Sequence, residues 1–411
     1  MLELFVGLQG GLKDVMDDRM PKPGRLDHGL FIAVTVLYWV SLYIYVPVLS
    51  PYLETLGASY RFIGLVVGSY GLMQILSRLP IGIYSDRSGL RKPFILLGML
   101  TAALSCLMFA AFEPVGVTLV ARAVSGLSAA CWVAFTVMYA GFFRKEDATR
   151  AMSTISLLIV LGELIGMALS GWLVESYGWK SVFWTGSVIG LLGLLLAFGL
   201  KEPKITDRQP IRYEDLGQVI KNPQLWIVSV LSILAHSILF ITMFGFTPSY
   251  AVELGASGMD LTWLSFAFMI PHAVSSYFTG RRIAPRIGIT PTLLAGYLVS
   301  GLCTLAIPFT RSLGMLMATQ AVNGFAQGLH IPLLLGLSIQ TVDQNKRATA
   351  MGTYQAVYAI GMFAGPILAG YANAGFGLEI GFYLGALIAA LSCIVVAVWH
   401  LGTAKQNRPA G

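Results

Sequence analysis

Twelve stretches of this chain run about twenty residues or longer with almost no charge, and that recurrence restricts the fold more than anything else in the sequence. A continuous apolar run of roughly 20 residues satisfies its backbone internally as a helix, and at that length it crosses the hydrocarbon core of a bilayer. The runs fall near 30–52, 62–84, 93–112, 117–142, 151–175, 180–200, 224–252, 261–283, 290–309, 312–340, 348–374 and 378–401. Charged residues are only 11% of the 411, against roughly 25% in soluble domains. The expected fold is therefore all-α and integral to the membrane, with twelve transmembrane helices. Residues 1–28 mix Lys13, Arg19, Lys22 and Arg25 with Asp14, Asp17, Asp18 and Asp27 ahead of an apolar run too long for a signal-peptide core. They read as a cytoplasmic segment leading into the first span rather than a cleavable leader.

Charge placement sets the expected orientation. With the N-terminus inside, the inner loops hold 22 of the 27 Lys and Arg residues. The outer loops hold Arg61, Lys180 and Arg311, while Arg78 and Arg122 lie within spans. The outer loops also carry Glu54, Glu113, Glu175, Glu253, Asp260 and Glu379. By the positive-inside rule both termini are cytoplasmic, which places a multi-pass protein in the cell (plasma or inner) membrane. The same asymmetry accounts for the net charge of +7 without a nucleic acid partner. Cys106, Cys131, Cys303 and Cys393 all lie in predicted spans without paired spacing, which indicates free thiols and neither a disulfide framework nor a metal site.

Internal repeats divide the chain. Residues 151–171 and 350–370, related by a shift of 199, both begin Ala-Met-x-Thr, and Gly162, Gly166 and Gly171 fall on Gly361, Gly365 and Gly370. At that shift Arg87 and Gly89 fall on Arg286 and Gly288, and a shift of 198 sets Ala123-Val124-Ser125-Gly126 on Ala321-Val322-Asn323-Gly324. The fourth, fifth and second-loop elements thus recur as the tenth, eleventh and eighth-loop elements. The expected domains are a segment 1–28, a six-helix bundle 29–200, a mixed-charge cytoplasmic linker 201–222, a second six-helix bundle 223–401 and a tail 402–411. Two parallel six-helix halves are the architecture of one transporter class.

The loop after the second span reads Gly82-Ile-Tyr-Ser-Asp86-Arg87-Ser-Gly89-Leu-Arg91-Lys92. That pattern resembles the signature between the second and third helices of the major facilitator superfamily, and Arg122-Ala-Val-Ser-Gly126 resembles the family's fourth-helix motif. With the spacing and the repeats, the resemblance covers nearly the whole chain, and proton-coupled efflux members are the ones it looks most like. It implies two six-helix bundles rocking about a central site by alternating access. It further implies that Asp86 caps the inner end of span eleven and latches the outward-facing state, as suits a carboxylate at a helix N-terminus. The second-half copy departs from the pattern, with Pro285 where Asp86 would repeat, so the expected latch is one-sided. Antiporters of the family often carry Gly-Pro in span five. Here Met167 follows Gly166, and the pair appears as Gly365-Pro366 in span eleven.

Several side chains are candidates for transport chemistry. Arg122 lies about 9 Å below the outer end of its helix, where a guanidinium is costly unless it is paired or faces a cavity. Glu163 is the one acidic residue deep in a predicted span. Two readings stay open for it: a fixed ion pair with Arg122, or a carboxylate that trades a proton for the arginine, as a proton-coupled antiporter needs. His236, His272 and His330 in spans seven, eight and ten are either interhelical hydrogen bonders or proton and substrate ligands. Asn323, Gln327 and His330 share one face of span ten as an expected cavity lining. Tyr38 and Tyr43, with Trp39 and Tyr45, give span one an aromatic wall suited to an amphipathic or aromatic substrate, or an interfacial belt. Gly162, Gly166, Gly361, Gly365 and Pro366 are expected at close helix contacts.

No phosphate loop, metal cluster or serine elbow appears, so neither an ATP-driven pump nor a membrane enzyme is expected, and no cofactor. The expected function is secondary active efflux of a small amphipathic or aromatic molecule in exchange for protons. A symporter importing a polar or anionic solute with Arg122 as its partner, and a lipid flippase on the same fold, are the alternatives. The partners expected are the small-molecule substrate, protons and membrane lipids. One polypeptide holds both halves of a transport unit and is expected to act as a monomer.

Overall fold

The structure, a computed structural model, describes residues 24–143, 148–202, 222–340, 342 and 347–406. Most of the expected N-terminal segment 1–28, linker 201–222 and tail 402–411 lies outside the described residues. The described residues form no strand. Twelve helical spans follow in order: α1 (Arg25–Thr55), α2 (Tyr60–Ser88), α3 (Lys92–Ala111), α4 (Val115–Ala140), α5 (Ala148–Tyr177) and α6 (Lys180–Ala197), then α7 (Pro223–Glu253), α8 (258–287), α9 (Ile289–Phe309), α10 (Leu313–Gln340), α11 (Arg347–Phe376) and α12 (Glu379–Gln406).

Ten candidate membrane spans stand out by length and apolarity among the described residues; α8 and α10 do not join them. Gln320, Asn323, Gln327 and His330 dilute the apolar character of α10, and all four side chains are buried within the protein. Large apolar side chains such as Leu104, Leu195, Leu298 and Leu391 point outward instead, as a lipid-facing surface requires.

Short turns make successive spans antiparallel, and the repeat is written into those turns. Among the described residues every positive φ belongs to glycine, and the six fall into three mates: Gly57 and Gly255, Gly89 and Gly288, Gly178 and Gly377. A side chain at such a position meets its own backbone, so each half ends the same helices in the same way. The first spans of the two halves also break alike. α1 passes through a 3₁₀ turn at Val46–Val48 containing Pro47, and α7 passes through a π turn at Thr242–Phe246 just before Pro248. Proline removes a backbone donor and crowds the preceding turn, which is where such breaks belong.

Packing obeys the same symmetry. α1 packs on α5, as α7 packs on α11; α2 on α4, as α8 on α10; α3 on α6, as α9 on α12. Glycines allow the first of these contacts. A Cβ on Gly162 would stand 2.5 Å from Trp39, and one on Gly166 would stand 2.9 Å from the Val40 carbonyl oxygen. The mates Gly361 and Gly365 meet Ile233 and Ser237 of α7 in the same way. The two halves join through α2 against α11 and, by the same exchange, α8 against α5.

Candidate functional site

The halves are sealed at the end of the molecule away from Arg25 and Gln406. There Gly64 lies so close to α11 that a Cβ would stand 2.3 Å from the Pro366 carbonyl oxygen, and Gly171 meets the Gly258 carbonyl of α8 at the same distance. Polar contacts bind the same seam. The Tyr60 hydroxyl donates to Glu253 (3.2 Å), and Glu175 accepts from the Met259 backbone N–H (2.9 Å). The Thr262 hydroxyl accepts from the Gly171 N–H (2.9 Å) and donates to the Met167 carbonyl (3.0 Å). Arg61 sits over the Tyr371 ring at 5.4 Å.

Beneath this seal a narrow crevice is lined by Leu42, Tyr43, Val46, Tyr70, Arg122, Phe240 and Phe244, so both halves contribute to it. Arg122 is buried in its wall. Its Nη1 donates to the Tyr45 hydroxyl (2.9 Å), and its guanidinium lies 4.4 Å from the Tyr70 ring centroid, a cation–π contact. The Glu163 side chain of α5 is buried, with Tyr43 of the crevice wall as its neighbour. Among the described ion pairs there is none between Glu163 and Arg122.

Farther toward the terminal face a second cation lies between the halves. Arg78 of α2 is buried; its Nη2 donates to Gln74 (2.5 Å) and its Nη1 to Gln355 (2.8 Å) and the Tyr358 hydroxyl (3.3 Å) of α11. Its Nε has no partner. The His236 ring of α7 stacks on Tyr358 at 4.1 Å and donates from Nδ1 to the Ser232 carbonyl (2.8 Å).

At the terminal face, Asp86 pairs with Arg91 across 2.5 Å, and Arg91 also donates to Ser85. Glu202, at the start of the linker, accepts from the backbone N–H of Arg91 (2.6 Å) and from that of Lys92, while Lys92 Nζ donates to the Phe198 carbonyl (2.6 Å). Burial outweighs these donors and pushes the Glu202 carboxyl above the usual carboxylate range. Arg87 lies in the last turn of α2, before the left-handed Gly89. Gly82 has open space around its Cα, so close approach does not demand glycine there. The residues just before α11, where the Asp86 latch would act, lie outside the described residues. The described contact of Asp86 is to its own loop.

Tyr43, Arg122 and Glu163 are thus gathered in one region, and His236 in another. The polar stripe of α10 is placed elsewhere. Asn323 accepts from Ser300 (2.8 Å), Gln327 donates to Ser300 (3.2 Å), and His330 stacks on Tyr297 at 4.3 Å. The stripe therefore faces α9 inside the second bundle rather than a central cavity, because Ser300 and Tyr297 of α9 supply its polar and aromatic partners. His272 stacks on Phe268 of its own helix, and the Tyr38 hydroxyl donates to the Ser128 carbonyl within the first bundle. Sequence reasoning noted Arg78 within a span without giving it a role, and missed Tyr70, Gln74, Gln355 and Tyr358. The available signal was the cost of a guanidinium at that depth, which implies a partner or a cavity.

The sequence model of the Major Facilitator Superfamily matches residues 31–260 and 242–410. The inner membrane transport protein YajR of Escherichia coli is 25% identical over 391 residues, covering 92% of this chain and 84% of its own. The bicyclomycin resistance protein homolog of Haemophilus influenzae is 25% identical over 362 residues, covering 80% and 84%. Among solved structures, a bacterial homolog of the human lysosomal transporter Spinster, inward-facing and occupied, superposes with a TM-score of 0.77 at 15% identity, covering 95% of this chain and all of that one. Twelve spans in two exchange-related bundles, with charged side chains collected between them, therefore belong to a membrane transporter rather than an enzyme, and the chain is a member of the Major Facilitator Superfamily.

Proposed function

We propose that this protein is a proton-coupled efflux antiporter for a small amphipathic or aromatic solute, working by alternating access with both termini in the cytoplasm. The observation that carries this reading is Glu163: a buried mid-span carboxyl group beside Tyr43, with no described ion pair. Such a group can take up and release a proton as its surroundings change during the transport cycle. Proton binding is thereby coupled to the packing of α1, α2, α4 and α5. With the terminal face in the cytoplasm, the sealed end is the outer one.

Efflux is supported by relatives with resistance names, the bicyclomycin resistance protein homolog and the multidrug resistance protein MdtG of Enterobacter lignolyticus, which is 22% identical over 375 residues. The aromatic residues around the crevice suit a solute with an apolar body. The test uses purified protein in liposomes loaded with a pH-sensitive dye, with Glu163→Gln alongside. Substrate-driven proton movement opposite to the solute, lost in the variant, is expected. Solute flux without proton movement, unchanged by the variant, would reduce Glu163 to a structural group.

A further inference from the structure

We propose that Arg78 is the recognition site for the anionic group of the transported solute, so that the substrate class is a small aromatic carboxylate or a similar organic anion. This rests on the transporter reading above and names the chemistry its site would accept.

Charge balance comes first. Among the described residues, the buried charged side chains away from the helix ends are Arg78, Arg122 and Glu163. Arg122 lies against the rings of Tyr45 and Tyr70 and donates to the Tyr45 hydroxyl. The partners described for Arg78 are two amide oxygens and a phenol hydroxyl, all neutral, and none is an anion. Its positive charge is therefore without a described counter-ion in the space between the bundles. A guanidinium there is stable when an anion visits it, and neutral oxygens hold it in place between visits.

Geometry comes second. The cation sits between the halves, fixed by Gln74 on one side and by Gln355 and Tyr358 on the other, which is where alternating access needs the solute to bind. Its Nε is buried and unpartnered, as is that of Arg122. The planar fork matches a carboxylate, which accepts two parallel hydrogen bonds and replaces the weaker neutral acceptors. The aromatic component is beside it: Tyr358, stacked on His236 at 4.1 Å, lies with its ring centroid 6.0 Å from the guanidinium carbon. Arg122 is less suited, because its guanidinium is already covered by Tyr70 and Tyr45 under the seal.

The test is equilibrium binding to the purified full-length protein of benzoate, salicylate and phenylacetate, against benzamide and benzylamine as neutral and cationic ring-matched probes. Benzoate is expected to bind the parent protein in preference to both. Arg78→Gln should weaken benzoate by roughly tenfold or more, Arg78→Lys by less, and benzamide should not distinguish the three proteins. Equal benzoate binding by the parent and Arg78→Gln overturns the proposal. So does failure of all three carboxylates to bind the parent, or a preference for benzylamine. If Arg78→Gln does not purify as a monodisperse protein, Tyr358→Phe and Gln355→Leu decide: each should change benzoate affinity a few-fold and leave benzamide alone, and equal effects on both probes overturn the proposal. Proton flux with Glu163→Gln is read separately in vesicles. If flux persists in that variant while benzoate binding needs Arg78, the antiport reading fails and the anion site stands. If flux is lost there while benzoate binding ignores Arg78, the anion site fails alone.

Discussion

The two halves share a scaffold and differ in chemistry. Their turn glycines, proline-associated breaks and helix contacts repeat closely. Their mid-span charges do not. Glu163 falls on Met362 and Arg122 on Gln320, so the second half carries a thioether and a neutral amide where the first carries a carboxyl group and a guanidinium. Three histidines of the second half, His236, His272 and His330, stack on aromatic rings. Repeated backbone geometry gives two bodies with like helix contacts, while the mid-span charges belong to one of them. The second half contributes Phe240 and Phe244 to the crevice and Gln355 and Tyr358 to the surroundings of Arg78, all neutral neighbours of charges held by the first.

The largest expected effect separates the charged position from its neutral mate. Glu163→Gln should cut substrate-driven proton flux by about a hundredfold or more, the scale of a lost proton-transfer group, whereas Met362→Gln should leave it within a few-fold. Dye-loaded vesicles read both, and comparable losses at the two positions would mean that the half-molecules share the coupling.

The scaffold is tested next by crowding mated contacts. Gly361→Leu and Gly162→Leu both force a side chain into a neighbouring helix and should each cost about 1–3 kcal/mol or more. Gly361 should be the worse, because its Cβ would stand 2.1 Å from a backbone carbonyl oxygen, while that of Gly162 would meet a side-chain carbon at 2.5 Å. Thermal unfolding in detergent ranks them. A reversed order would show that the first bundle yields less than its mate.

Replacing Arg122 by its mate's residue, Arg122→Gln, makes the halves alike at that position. It removes a charge-assisted hydrogen bond to Tyr45 and the contact over Tyr70, so transport should slow by about tenfold with the fold retained. Unchanged transport would assign Arg122 to packing.

The smallest effect lies at the terminal face. Burial raises the Glu202 carboxyl in the folded protein, so the folded state favours its protonated form. Its contribution to stability is present below the ordinary carboxylate range and is lost as pH rises through the raised value. Glu202→Gln should flatten that part of the stability–pH curve, and a profile identical to the parent's would place the pH dependence elsewhere.

Much of this was legible in the residues alone. Twelve apolar runs specify helices because a bilayer satisfies no backbone group, and a shift of 199 residues specifies two like halves because equal patterns bury equal faces. Glu163 and Arg122 were visible because charge within a span is costly enough to demand a reason. The polar stripe of α10 was misjudged for a physical reason as well. Periodicity shows that Asn323, Gln327 and His330 share a face, but not which neighbour that face meets, and it meets Ser300 and Tyr297. The joining of Arg122 to Tyr45 across 77 positions, and of Arg78 to Gln355 across 277, are contacts between helices far apart in the chain. Sequence by itself determined the spans, their pairing into halves and which residues carry charge, since these follow from local hydrophobicity and internal repetition. Only the tertiary structure decided which charges are compensated and which seam is closed, since both depend on how separate helices are rotated against one another.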